Sequence, residues 1–157
     1  MIVYHASYCI IERPDISFSR VFVDFGPGFY VTRLRDQAIN YAARFLKNNQ
    51  RAYLNQYNLD DSWSKKRIKR FNSYNKEWLD FVVLNRQGKT VSEFDAVEGG
   101  VANDRIFRTL ELYLDGDISK AEALKRLRYE KPNHQICFCT QQMIDEYLHF
   151  IASEEVI

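Results

Sequence analysis

Apolar and polar positions alternate over residues 2 to 7, with Ile2, Tyr4 and Ala6 on one side and Val3, His5 and Ser7 on the other. That is the pattern of a half-buried strand. Arg20 to Phe25 reads as a second strand feeding a glycine-rich loop. The period then changes to that of a helix: from Thr32 or Asp36 onward, Ile39, Ala42, Ala43 and Leu46 recur at i, i+3, i+4 and i+7, leaving Tyr41 off the stripe. Residues 47 to 75 are polar and basic, with a strand candidate at Ala52 to Leu59 and a charge run from Lys65 to Arg70. They read as the least constrained part, a variable insert within one domain spanning residues 1–157.

Downstream, Trp78, Leu79, Val82 and Val83 predict a helix over Lys76 to Arg86 that stops at Gln87-Gly88. Phe94 to Val97 predicts a strand, broken by Gly99-Gly100. Asn103 can cap a helix carrying Ile106, Leu110, Tyr113 and Leu114, and Gly116 follows its end. Ser119 and Glu122 have capping-box spacing ahead of Ala123, Leu124 and Leu127. Alternation returns at Gln135 to Thr140, placing Gln135, Cys137 and Cys139 on one face, and a last amphipathic helix is expected through Ile144, Leu148 and Ile151. Strands and helices mix without a regular βαβ period, which favours α+β over a doubly wound sheet.

Composition narrows the functional classes. A chain of 157 residues is long enough to bury roughly two thirds of its unfolded surface. A formal net charge of +1 provides no global field for nucleic acid or an anionic membrane, so any electrostatic site is local. The three cysteines are odd in number and the close pair is spaced C-x-C, which suggests neither a disulfide framework nor zinc. Cys137 and Cys139 suit small core residues. His134 and His149 lack a spaced ligand set, so no metal is expected. With a strand at the N-terminus in place of a signal segment and no membrane-length apolar run, the expected compartment is the cytoplasm.

The candidate chemistry centres on Asp24 to Thr32. Gly26-Pro27-Gly28 forces a tight loop in which backbone can approach a ligand, and Tyr30 follows at its rim. Taken alone, His5 fits a structural histidine, Tyr30 and Tyr41 fit core packing, and Gln135 fits a buried hydrogen-bonding residue.

Read together, these segments resemble ADP-ribosyltransferases of the diphtheria-toxin and poly-ADP-ribose-polymerase type. The resemblance rests on Tyr4-His5-Ala6-Ser7 on the first strand and on Phe25-Gly26-x-Gly28-Phe29-Tyr30-x-Thr32, with Tyr41 eleven residues after Tyr30. It is completed by a late strand opening Gln135-Ile136-Cys137-Phe138. The chain is also similar to a bacterial family of small ADP-ribosyltransferase-like domains through Tyr74 to Arg86, Val101 to Arg105 and Tyr129 to Phe138.

The resemblance implies two small, mainly antiparallel sheets packed around an NAD cleft, with flanking helices. It implies transfer of ADP-ribose from NAD, a substrate here, to a macromolecular target with release of nicotinamide. His5 would hold a ribose, and the backbone at Ala6 and Ser7 the nicotinamide amide. Gly28 would lie close to ligand, Tyr30 and Tyr41 would sandwich the pyridinium ring, and Thr32 would supply a hydroxyl. Gln135 stands where the family's catalytic Glu opens its strand, which keeps a hydrogen bond and loses a charge worth roughly 10² to 10³ in rate. Ala6 and Ala38 replace a usual Gly and, in some relatives, a Ser. Glu98, beside Gly99-Gly100, could bring a carboxylate from another loop.

Gln135, His5 and Tyr30 are thus the expected catalytic residues. The expected partners are NAD and a target protein or nucleic acid, with room for an inhibitory partner, as in a toxin or a regulatory modifier. Two further readings stay open: a silent module that binds NAD or a related nucleotide, and an adaptor binding nucleic acid or protein through Lys65 to Arg70.

Overall fold

The structure is a computed structural model that describes residues 1–89 and 93–157. Seven strands form two sheets, and five α-helices flank them, among the described residues. The first sheet is antiparallel in the order β1 (Ile2–Ser7), β3 (Ala52–Leu59), β7 (Leu148–Val156). In the second, β2 (Phe29–Val31) pairs with β6 (Gln135–Phe138), β6 with β5 (Ala96–Gly99), and β5, in parallel, with β4 (Ile68–Arg70). This is an α+β fold of two mostly antiparallel open sheets.

Alternation along each strand builds three apolar layers. Val3, Tyr57, Leu59 and Leu148 of the first sheet meet Phe29, Val31, Ala96, Ile136 and Phe138 of the second between the sheets. The far face of the second sheet carries Val97 and Cys137 into a cluster with α2 (Lys76–Arg86), α3 (Asp104–Leu114) and α4 (Lys120–Leu127), around fully buried Trp78. On the far face of the first sheet, Ala6 and Ala52 pack on Ala42 of α1 (Arg35–Lys47). Small residues there let the helix lie close to the strands.

The helix ends follow local signals. Asn75, Asn103 and Ser119 cap α2, α3 and α4 by accepting from the N–H groups of Trp78, Ile106 and Glu122. Gly88 and Gly116 lie just beyond helices with φ of 74° and 79°. Thr140 caps α5 (Gln141–Tyr147).

Several expectations are corrected. Arg20 to Phe25 contains no strand; Phe22 takes φ 59° there, and the strand begins at Phe29. Ala52 to Leu59, expected in the least constrained stretch, is instead the central strand of its sheet, with Ala52, Leu54, Tyr57 and Leu59 fully buried. The final segment is helix only to Tyr147, because Leu148 to Val156 supplies the second partner that β3 needs. Finally, α1 buries Ala38 and Ala42 and packs Tyr41 and Phe45 inward, while Leu46 is exposed, so its inner face is rotated from the predicted stripe.

Candidate functional site

The two sheets touch through their edge strands at one point. Tyr4 and Thr32 exchange main-chain hydrogen bonds of 2.8 and 2.9 Å, after which β1 and β2 diverge. Alternation of an extended strand means that Ala6, two residues beyond Tyr4, directs its N–H and C=O to the same side. Tyr4 spends both of its main-chain groups on Thr32 and so faces away from β3, and Ala6, which pairs with Leu54 as Tyr4 pairs with Gln56, has the same parity and faces the same way. Among the described residues, no hydrogen bond outside the strand ladders reaches the Ala6 N–H or C=O.

His5 lies beside that edge, half-buried and stacked on Phe29 with ring centroids 4.4 Å apart. Its Nδ1–H donates to the Tyr30 carbonyl at 2.6 Å, which places the proton on Nδ1 and leaves Nε2 as an acceptor in the neutral ring. Burial lowers the imidazole pKa, the Tyr30 carbonyl opposes that, and the positive charge of Arg20 adds to it. The neutral form is therefore favoured.

Tyr30 leaves β2 on the face opposite Phe29. Its hydroxyl donates to the Gly26 carbonyl at 2.6 Å and accepts from the Phe25 N–H at 3.1 Å, so the phenol closes the glycine loop on itself. Burial holds its pKa well above the ordinary value. Only Gly26 of the two loop glycines has positive φ, at 80°. Gly28 serves packing: a Cβ there would overlap the Cys137 sulfur and lie 2.6 Å from the Phe138 carbonyl oxygen.

Gln135 opens β6 opposite Gly99, two residues from Cys137 and on the same face as Tyr30. Its side-chain Oε1 is buried without a hydrogen-bond partner. An orphaned buried acceptor costs stability unless a ligand or water supplies a donor. Glu98 does not substitute for an acid at this place. It projects from the other face of β5, where His134 Nε2 donates to one carboxylate oxygen at 3.0 Å and Arg70 Nε to the other at 3.1 Å. These partners, His134 first, hold its pKa below the ordinary carboxylate range despite partial burial.

Thr32 is buried and employed locally. Its Oγ1 accepts from the Leu34 N–H at 3.1 Å at the entry to α1, and lies 3.4 Å from His134 Nδ1. His134 Nδ1 also accepts from the Arg33 N–H at 3.2 Å, and Gln37 brackets the His134 main chain by donating to its carbonyl and accepting from its N–H. Ser7 is buried and turned toward Cys9. Tyr41 sits on α1 with its ring edge on Phe45, the Arg44 guanidinium 5.0 Å from its centroid, and its hydroxyl accepting from Arg20 at 3.3 Å.

The structure thus brings His5, the Ala6 main chain and the Tyr30 carbonyl to one edge, and links Tyr41 to His5's neighbour Arg20. The Tyr30 ring and Gln135 share the other, helix-covered face of the second sheet. Sequence reading missed Arg20 and the Gln37–His134–Glu98–Arg70 network. Nothing in local spacing marks Arg20, whereas the network is signalled only by complementary residue types far apart in the chain. Two surface depressions lie elsewhere. One of about 610 Å³ is bounded by Glu12 to Asp15, α5 and the start of β7. The other, about 320 Å³, lies over α3 and α4. No group of three or more His, Cys, Asp or Glu side chains placed to hold a metal occurs among the described residues. No helix among them is long and apolar enough to cross a membrane.

Fold and site together define an α+β protein of two packed sheets, joined at one bridge and open beside a histidine–tyrosine edge. A family model described as a protein of unknown function, DUF3990, matches residues 1–150, and the chain belongs to that family. No curated protein and no solved structure matches it.

Proposed function

We propose that this protein is an ADP-ribosyltransferase that binds NAD at the diverging edges of β1 and β2. The observation carrying the reading is the unpartnered N–H and C=O of Ala6 beside His5 and Tyr30. A carboxamide needs one acceptor and one donor, which is what an extended-strand edge offers. His5 Nε2 accepts from a ribose hydroxyl, and Tyr30 forms one wall of the nicotinamide site. Tyr41 contributes the opposite wall from α1, with Thr32 fixing the turn between β2 and that helix. The ribosyl–nicotinamide C–N bond breaks with its electron pair passing to the pyridinium nitrogen. A nucleophile of the target bonds the freed ribose carbon and gives up its proton to solvent.

A second reading is favoured by one observation: Gln135 carries no charge, and Glu98 is held on the other face of its strand by His134 and Arg70. On that reading the protein binds NAD and turns it over negligibly. Both are tested by incubating the protein with NAD and a cell lysate, following nicotinamide release and ADP-ribosylated product, with NAD affinity measured in parallel. Release with product supports transfer; binding without release supports the silent module; absence of both sinks the site. Gln135→Glu should then raise turnover if the cleft is intact, by up to about 10²-fold.

A third reading is an adaptor that binds nucleic acid or protein through Lys65 to Arg70, tested by affinity for RNA or DNA at low salt in wild type and in a variant with these charges removed. Among the basic residues of Lys65 to Arg70, Lys66, Arg67, Lys69 and Arg70 are each paired, with Glu146, Asp95, Glu77 and Glu98.

A further inference from the structure

Arg20 lies in a segment held at both ends. Upstream, Ser19 N–H donates to the Ile16 carbonyl at 3.0 Å. Downstream, Asp24 is pinned to Arg86 and accepts from the Ala102 N–H at 2.7 Å. Between these anchors the exposed Arg20 side chain donates to the Tyr41 hydroxyl, bridging from the loop before β2 to the helix after it. The two arginines on α1 have carboxylates: Arg35 pairs with Glu154 and Arg44 with Asp104. No carboxylate lies within ion-pair distance of Arg20 among the described residues. Its side chain meets the Tyr41 hydroxyl and lies close enough to His5 to act on that ring's charge.

An arginine presented this way, beside a half-buried histidine and a phenol, has the planar fork and fixed charge that suit a phosphate. We propose that Arg20, with the Tyr41 hydroxyl, forms the subsite for the diphosphate of the dinucleotide. This assignment rests on NAD being the ligand of the β1–β2 edge. It adds the group that discriminates a dinucleotide from an unphosphorylated nucleoside. The position also separates labour: His5 and the Ala6 main chain, which carry no charge, meet the ribose and the carboxamide, and the cation meets the phosphates. The hydrogen bond from Arg20 to Tyr41 keeps the guanidinium in place in the absence of an anion.

The test compares wild type, Arg20→Ala and Arg20→Lys in titrations with NAD, ADP-ribose and nicotinamide riboside, which lacks phosphate. Arg20→Ala should weaken NAD and ADP-ribose about 10- to 100-fold, the loss of a charge-assisted contact, and leave nicotinamide riboside within about two-fold. Arg20→Lys should recover part of the loss, since an ammonium keeps the charge without the fork. ADP-ribose binding unchanged in Arg20→Ala overturns the assignment while the NAD site stands. Equal weakening of nicotinamide riboside also overturns it, because the residue would then act through the shape of the edge. If wild type binds neither NAD nor ADP-ribose, the site reading itself fails and the subsite falls with it.

Discussion

His5 closes the free edge of β2: its Nδ1–H reaches the main-chain carbonyl of Tyr30 at 2.6 Å, while its ring lies on Phe29. Burial makes protonation of this ring unfavourable relative to the ordinary value of 6.5. Below pH 6.5 the unfolded chain binds more protons at this position than the folded one, so stability falls as pH drops until the lowered folded value is passed. Thermal unfolding followed between pH 7.5 and 5.5 should show a declining midpoint that flattens in His5→Phe, which keeps the stacking and cannot titrate. An identical decline in both proteins would assign the effect elsewhere. Glu98 acts in a lower window, its contribution being present above 4.5 and lost as pH falls through its lowered value.

Gln135 holds a buried oxygen that accepts nothing. Replacing it with Leu removes that cost, and urea unfolding should show a gain of about 1 kcal/mol. On the proposed role of Gln135 in holding the ribose, the same variant should also lose NAD turnover. A variant no more stable than wild type shows that solvent or a neighbour already satisfies the oxygen.

Gly28 is required by the close approach of β2 to β6. Gly28→Ala drives a methyl into Cys137 and the Phe138 carbonyl and should destabilise the protein by about 1–3 kcal/mol, read as a lower denaturation midpoint. Gly116→Ala offers a contrast, since nothing lies within 4 Å of its Cβ direction and φ is 79°. Its cost is backbone strain alone, about 1 kcal/mol.

Asp24 and Arg86 form a mostly buried ion pair, with side-chain exposures of 7% and 19%. Asp24 also accepts from Ala102 N–H, and its carbonyl accepts from Asn85. Removing the carboxylate in Asp24→Ala leaves a guanidinium and an N–H without their partner and should cost about 3 kcal/mol. Because Asp24 anchors the glycine loop, hydrogen exchange at Gly26 and Phe25 should quicken in the variant. Unchanged exchange there would show that the Tyr30 hydroxyl alone holds the loop.

The last segment distinguishes helix from strand. Ile144 is 2% exposed and Ile151 48%, although a single helical face would bury both. Ile144→Ala should cost about 2–4 kcal/mol, and Ile151→Ala under about 0.5 kcal/mol, measured by chemical denaturation. Similar losses at both positions would restore the helical reading.

The sequence by itself determined the features whose causes lie within a few residues. Asn103 and Ser119 cap their helices because a side-chain oxygen meets an N–H three positions on. Gly88 and Gly116 end helices because they accept positive φ. The alternation of Ile2 to Ser7 and of Gln135 to Phe138 makes strands. His5 and Gln135 lie on strands that this alternation marks.

Tertiary structure decided what depends on distant partners. Leu148 to Val156 is a strand because β3 has a second edge to fill, and β3 is central because β1 and β7 both pair with it. Gly28 is needed by a strand that begins more than a hundred residues later. Glu98 is an anchor, since His134 and Arg70 converge on it from neighbouring chain segments. Arg20 faces Tyr41 through a loop whose path no local periodicity encodes. A hydrogen bond across a fold depends on where two segments are brought to rest, and that is settled by the burial of all the others.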